Sequence, residues 1–174
     1  MIIVTGAAGF IGSNLVKGLN RRGISDLILV DDITKENEKN LSGLEFNAVI
    51  GIDEYLQRYR EWKKLEAIFH LGACSDTTEK RVDLILPRNT GYTMTLFRHC
   101  QHIKAPFIYA SSAAVYGNGK HGFKETPECE APLNLYGESK LLFDQALRRE
   151  LALKTKLSAP AIGLRYFNVY GPNE

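Results

Sequence analysis

Cysteine is scarce in this chain: Cys74, Cys100 and Cys129 are the only three in 174 residues, and no two form a CxxC pair. That excludes a disulfide framework and the usual zinc-ligand spacings, and it favours a reducing compartment. No apolar run approaches the roughly 18–20 residues of a membrane-spanning helix. Charge of one sign is not in excess either. The 22 Lys and Arg stand against 20 Asp and Glu, and the basic residues are scattered apart from pairs such as Arg21-Arg22 and Lys63-Lys64. A nucleic-acid binder needs a dense positive face, which this pattern does not provide. Repeats, low-complexity tracts and linkers are lacking as well. The expectation is one domain over residues 1–174, long enough to bury a core, in a soluble cytoplasmic protein with no nucleic-acid and no membrane partner. The opening MIIVTGAAGFIG has no basic start and carries glycines at a spacing of three, so it reads as the first strand of the mature fold rather than a signal segment.

What the chain does have is alternation. Short apolar runs at Ile2–Val4, Leu27–Val30, Ala67–His70, Phe107–Ala110 and Ala161–Tyr166 read as strands. Longer amphipathic stretches at Phe10–Arg22, Asp53–Leu65, Leu84–Ile103 and Leu135–Lys156 read as helices, the first ended by Gly23. Lys35–Gly51 is polar and unassigned, and Gly117–Leu133 is loop-like. Strands alternating with helices imply βαβ units: an α/β, doubly wound parallel sheet with helices on both faces.

The segment VTGAAGFIGSNLV places Gly6, Gly9 and Gly12 between a strand and the opening of a helix. A pyrophosphate needs backbone N–H groups at close range and gains from the positive end of the helix dipole. Gly12 lets the helix pack close to the sheet. Asp31 follows about 20 residues on, where a carboxylate accepts from ribose hydroxyls, so strand, helix and acid together match a dinucleotide fingerprint. Asp32 adds a second negative charge, which disfavours a 2′-phosphate unless a basic side chain approaches. Lys35, Lys39 and Arg58 are the candidates for that.

Two further patterns carry chemistry. In PLNLYGESKLLFDQAL, Tyr136 and Lys140 lie four apart at the start of a helix and share a face. A tyrosine at its reference pKa of about 10 is a poor acid–base group near neutrality. A neighbouring ammonium lowers that pKa, and the same ammonium can donate to a ribose. In YASSAAVYG, Ser111 and Ser112 stand at the end of a strand as hydrogen-bond donors or as a turn. His70, His99, His102 and His121 read as structural or surface groups, Cys74 as a small buried hydrophobe, and Trp62 as packing.

The order TGxxGxxG, Ser, YxxxK resembles the extended branch of the short-chain dehydrogenase/reductase family over the whole chain, with its Rossmann-type fold. In that family the serine before A-x-V-Y-G holds the substrate oxygen, which implies Ser112, with Ser111 fitting the strand end. FHLGACSDTTE, YASSAAVYG, PLNLYGESKLLFD and RYFNVYGP together resemble the ADP-glyceromanno-heptose 6-epimerases within that family. The resemblance implies inversion at C6″ of an ADP-heptose by transient oxidation and re-reduction, for the lipopolysaccharide core. It implies resident NADP in preference to NAD, and a homo-oligomer. Tyr136, Lys140 and Ser112 are then the catalytic residues. Phe10 and Ile11 cover the pyrophosphate. Leu71, Gly72, Ala73, Cys74 and Ser75 pass beside the cofactor with Asn89. Asn168 faces substrate and Val169 the nicotinamide. The chain departs from the family pattern at Asp32, where Asn is common, at Asn37, where a phosphate-binding lysine is usual, and at Leu71, where Glu is common. The family's second catalytic lysine and C-terminal substrate domain are expected beyond Glu174, so the chain reads as a fragment or a truncated product. The same motifs admit two alternatives, a UDP-hexose 4-epimerase or 4,6-dehydratase and a non-catalytic dinucleotide-binding module. Ala113-Ala114 stands where a dehydratase carries an acidic pair.

Overall fold

A computed structural model gives the architecture of the chain, and residues 1–153 and 156–174 are described. Six parallel strands form one sheet in the order β3-β2-β1-β4-β5-β6. They are β1 (Ile2–Thr5), β2 (Leu27–Val30), β3 (Ala48–Ile50), β4 (Ala67–His70), β5 (Phe107–Ser112) and β6 (Ala161–Tyr166). The chain works outward from β1 to one edge, returns to β4 beside β1, and works outward again. The order therefore reverses between β1 and β4, and a crevice opens there outside the carboxyl ends of the strands.

IIVT in β1 and LILV in β2 are buried along their whole length, because helices cover both faces of a parallel sheet. Side-chain alternation sorts these strands into two cores. Ile3, Ile28, Val30, Ile68 and Phe107 pack with Tyr55, Leu96, Phe97, Phe143 and Leu147 on one face. Ile2, Val4, Leu27 and Leu29 pack with Val16, Leu19 and Leu41 on the other. The covering helices are α1 (Phe10–Asn20), α2 (Ile52–Arg58), α4 (Tyr92–Ile103) and α5 (Leu135–Leu153). A short α3 (Val82–Leu86) precedes α4. The expected doubly wound fold is thus the observed one.

Local differences have physical reasons. The polar stretch 35–51 holds strand β3 and a 3₁₀ turn at Glu38–Leu41. β3 is three half-buried residues at a sheet edge, too short to show a period. The helix expected over 53–65 ends at Arg58 and gives way to a 3₁₀ turn, Tyr59–Glu61. The helix expected from Leu84 begins at Val82 and widens to a π turn over Pro87–Gly91, where Pro87 has no N–H to donate. β5 runs two residues further than its apolar core and takes in both serines. The far end of the helix expected to reach Lys156 includes residues 154 and 155, which lie outside those described.

Candidate functional site

The glycine loop joins β1 to α1 across the crevice. Gly6 has φ +67°, and a Cβ there would lie 2.5 Å from the Gly72 nitrogen on the neighbouring strand's exit. A Cβ at Gly12 would lie 2.0 Å from the Gly6 carbonyl. Gly9 meets only that carbonyl, at 3.3 Å, so its outer side is open. α1 begins after Gly9 with no side-chain cap and no acid in its first turn. The first-turn amides at Phe10 and Ile11, which have no intrahelical partner, are therefore available to an anion. This cradle fits a pyrophosphate.

Asp31 sits at the exit of β2, with Oδ2 accepting from the Ala8 amide at 2.8 Å and Oδ1 from the Asp32 amide at 2.9 Å. Burial raises its pKa, against the pull of those amides. Asp32 turns away and accepts from the Ile52 amide at 3.0 Å, at the start of α2. Asn40, which the sequence did not single out, donates to the Ala8 carbonyl at 2.9 Å and braces the loop from below. Of the basic candidates, Lys35 is exposed. Lys39 lines a cavity of about 390 Å³ with Lys17 and Arg21. Arg58 is paired with Glu54 at 2.6 Å and Glu61 at 3.0 Å.

Across the crevice, the exit of β4 follows β1 closely. The Leu71 amide donates to the Thr5 carbonyl, and the Gly72 amide donates to Thr5 Oγ1 at 3.2 Å. Ala73 and Cys74 are half-buried and Ser75 is exposed. Asn89, buried within the π turn, accepts from the Cys74 amide at 2.8 Å and donates to its carbonyl at 3.0 Å. It also donates to Ser139 Oγ at 2.9 Å, and that hydroxyl donates to the Tyr136 carbonyl at 2.7 Å.

His70 is the buried link behind this loop. Its Nδ1 lies 2.6 Å from Thr5 Oγ1 and its Nε2 lies 2.9 Å from Thr93 Oγ1. The Thr93 hydroxyl donates to the Asn89 carbonyl, so it accepts from Nε2–H, and the ring is the Nε2–H tautomer with Nδ1 accepting from Thr5. Burial and the Lys140 charge hold it neutral, pushing its pKa down to about 3.

At the end of β5, Ser112 accepts from the Ala114 amide at 3.1 Å. It approaches the Tyr136 phenol closely enough to favour the phenolate. Burial outweighs that contact, and the Tyr136 pKa is raised. The expected lowering by Lys140 is not found, because its Nζ donates to the Ala110 carbonyl at 2.9 Å and lies 5.9 Å from the centre of the Tyr136 ring. Burial lowers the Lys140 pKa to about 8. Asn168 and Val169 are exposed just past β6. Their segment is tied across to α1, where Asn14 donates to the Pro172 carbonyl at 2.8 Å and Asn173 to Ser13 Oγ at 3.0 Å.

These groups place a glycine loop and an acid at the exits of β1 and β2, and a Ser–Tyr–Lys set at the exit of β5. The model of the NAD dependent epimerase/dehydratase family matches residues 2–174. The chain belongs to that family. An ADP-L-glycero-D-manno-heptose-6-epimerase from Helicobacter pylori is 36% identical, with a TM-score of 0.81 over 99% of this chain and 56% of its own. A UDP-glucuronic acid 4-epimerase from Bacillus cereus, solved with NAD, is 28% identical with a TM-score of 0.84 over 99% of this chain and 58% of its own. A UDP-glucose 4-epimerase from Thermotoga maritima is 27% identical, with a TM-score of 0.78. The chain thus spans little more than half the length of these solved relatives. As a member of the epimerase/dehydratase family it is built to hold a nicotinamide dinucleotide. Among the described residues no helix is long and apolar enough to cross a membrane.

Sequence reasoning missed Asn40, Asn14 and Asp144, whose partners lie far along the chain. Asp144 did leave a trace, since it follows Lys140 by the same four-residue step that separates Lys140 from Tyr136.

Proposed function

We propose that this chain is the dinucleotide-binding part of an epimerase that inverts C6″ of ADP-D-glycero-D-manno-heptose to the L-glycero form, with NADP resident. The observation that carries the reading is the meeting of Ser112, Tyr136 and Lys140 at the exit of β5, in a sheet whose β1–α1 loop leaves no room for a side chain at Gly6 or Gly12. The substrate assignment is supported by the segments quoted above and by 36% identity to the Helicobacter pylori enzyme. NADP is supported by the same resemblance, with Lys39, which lines a cavity with Lys17, Arg21 and Asn40, as the candidate cation, whereas Arg58 is held by Glu54 and Glu61.

The dinucleotide supplies reversible hydride transfer when bound. The chain's residues handle the proton and the orientation. Ser112 donates to the substrate oxygen and stabilises the charge that develops there. Tyr136 is one of two acid–base groups, taking or returning the hydroxyl proton on its side of the sugar. Its raised pKa suits the return step; removal is helped when the Lys140 ammonium approaches the phenol. Lys140 would also donate to the nicotinamide ribose. Asp31 would accept from the adenosine ribose, and the amides at Phe10 and Ile11 would hold the pyrophosphate. Asn168 would contact the sugar, and Val169 would lie on the nicotinamide side.

A second reading, a dinucleotide-binding module without turnover, rests on the raised pKa of Tyr136 and on the 5.9 Å between Lys140 Nζ and the centre of its ring. Calorimetric titration with NADP⁺ and NAD⁺, followed by incubation with ADP-D-glycero-D-manno-heptose, separates the two. Formation of the L-glycero epimer, lost in Tyr136→Phe with dinucleotide binding retained, supports the epimerase. Binding without epimer supports the module, and epimerisation undiminished in Tyr136→Phe overturns the role of Tyr136.

A further inference from the structure

Ser111 and Ser112 are neighbours in β5, so their side chains leave opposite faces of the sheet. Ser112 faces the Tyr136 side. Ser111 is buried, and its hydroxyl donates to Asp144 Oδ2 at 2.9 Å. The other carboxylate oxygen accepts from the Tyr109 hydroxyl at 2.8 Å. Arg165 of β6 completes the shell, donating to Oδ2 through Nε at 3.2 Å and Nη2 at 3.1 Å. That guanidinium also pairs with Glu130, which holds Arg148 at 2.6 Å through both oxygens, and it lies over the Tyr116 ring at 4.8 Å. A buried carboxylate thus takes hydrogen bonds from two successive inward positions of β5 and from β6, while standing on α5 one turn beyond Lys140.

We propose that Asp144 is a positioning residue for the Ser112–Tyr136–Lys140 set: it clamps the exit of β5 to α5 and sets a fixed negative charge against the Lys140 ammonium. The clamp fixes Ser112 because its neighbour Ser111 is held. The Lys140 side chain is buried, donates to one neutral carbonyl, Ala110, and has the neutral ring of His70 on its β4 side. From its own helix it faces the Tyr136 ring, whose centre lies 5.9 Å from Nζ. Asp144 is the group that opposes the loss of its proton on burial. Arg165, the cation on the far side of Asp144, is neutralised by Asp144 and Glu130 together. The inference concerns the charge state of Lys140 and does not depend on which sugar nucleotide is turned over.

The test is the titration of Lys140, followed by the NMR shift of its ¹³Cε in the 174-residue chain, assigned with Lys140→Met. In Asp144→Asn the midpoint is expected to fall by about one pH unit, a tenfold loss of proton affinity. Asp144→Asn leaves Arg165 short of a partner, so Asp144→Asn/Arg165→Met, which removes both charges, serves if the single variant does not fold. In Ser111→Ala the carboxylate stays, and the Lys140 midpoint is expected not to fall while the Ser112 amide and ¹³Cβ shifts move. A midpoint unchanged in both Asp144 variants overturns the electrostatic role. Unmoved Ser112 shifts in Ser111→Ala overturn the clamp. Neither readout needs cofactor or substrate, so failure here is distinct from failure of the epimerase reading.

Discussion

The side-chain amide of Asn89 and the backbone of Cys74 exchange two hydrogen bonds, at 2.8 and 3.0 Å, as one strand pairs with another. A residue in a π turn thereby takes the place of a strand neighbour for the loop leaving β4. The third bond of the same amide, to Ser139, ties that loop to the start of α5, where Tyr136 and Lys140 stand.

Asn89→Ala leaves the Cys74 amide and carbonyl and the Ser139 hydroxyl short of partners in a buried setting. The expected loss is about 2–3 kcal/mol in urea denaturation, together with weaker dinucleotide binding by calorimetry. A variant as stable as the parent contradicts the bridging role.

Gly12→Ala places a methyl 2.0 Å from the Gly6 carbonyl. The helix must retreat or the loop must open, a strain of about 3 kcal/mol. A fall in melting temperature is expected, along with loss of dinucleotide binding at concentrations that saturate the parent. Gly18→Ala, where a Cβ meets only the end of the Arg22 side chain at 3.9 Å, is the control expected to keep dinucleotide binding and not to lower the melting temperature, since Ala favours a helix interior over Gly.

His70 makes stability depend on pH. Its folded pKa, about 3, lies below the ordinary histidine value of 6.5. Between those values the unfolded chain binds a proton that the folded chain refuses. The contribution of neutral His70 is therefore complete above about pH 6.5 and is lost progressively as pH falls toward 3. His70→Asn is expected to be less stable throughout but to lose less between pH 6.5 and 4 than the parent does. Parallel curves from denaturant titrations at a series of pH values would exclude this linkage.

Lys140 acts in the alkaline range. Burial lowers its pKa from 10.5 to about 8, so the folded chain releases this proton before the unfolded one. Stability from this group rises with pH between those values, while its charge, which a ribose hydroxyl or phenolate would meet, is lost above about 8. Dinucleotide affinity is expected to weaken as pH rises through that point in the parent and to be flat there in Lys140→Met. A pH-independent dissociation constant in the parent counts against the ribose contact.

Local patterns were legible because their residues interact over short separations. Gly6, Gly9 and Gly12 act within one strand–helix junction, and Tyr136 and Lys140 within one helical turn. Buried strands such as IIVT and LILV stand out as apolar runs. β3 did not, being three residues at an edge, and the bonds that Asn89 makes from the π turn join it to Cys74 and Ser139, 15 and 50 residues away, which no period in the sequence links.

By itself, then, the sequence determined the alternating βαβ plan, the anion-ready loop and the residue types of the Ser–Tyr–Lys set, all of which follow from spacing and backbone sterics. Only the tertiary structure decided how those groups are held and charged. Asp144 meets Ser111 across 33 residues, His70 meets Thr5 across 65, and Asn14 meets Pro172 across 158. Burial then raised Tyr136 and lowered Lys140. Desolvation depends on what the folded chain packs around a group, and no spacing between two residues records it.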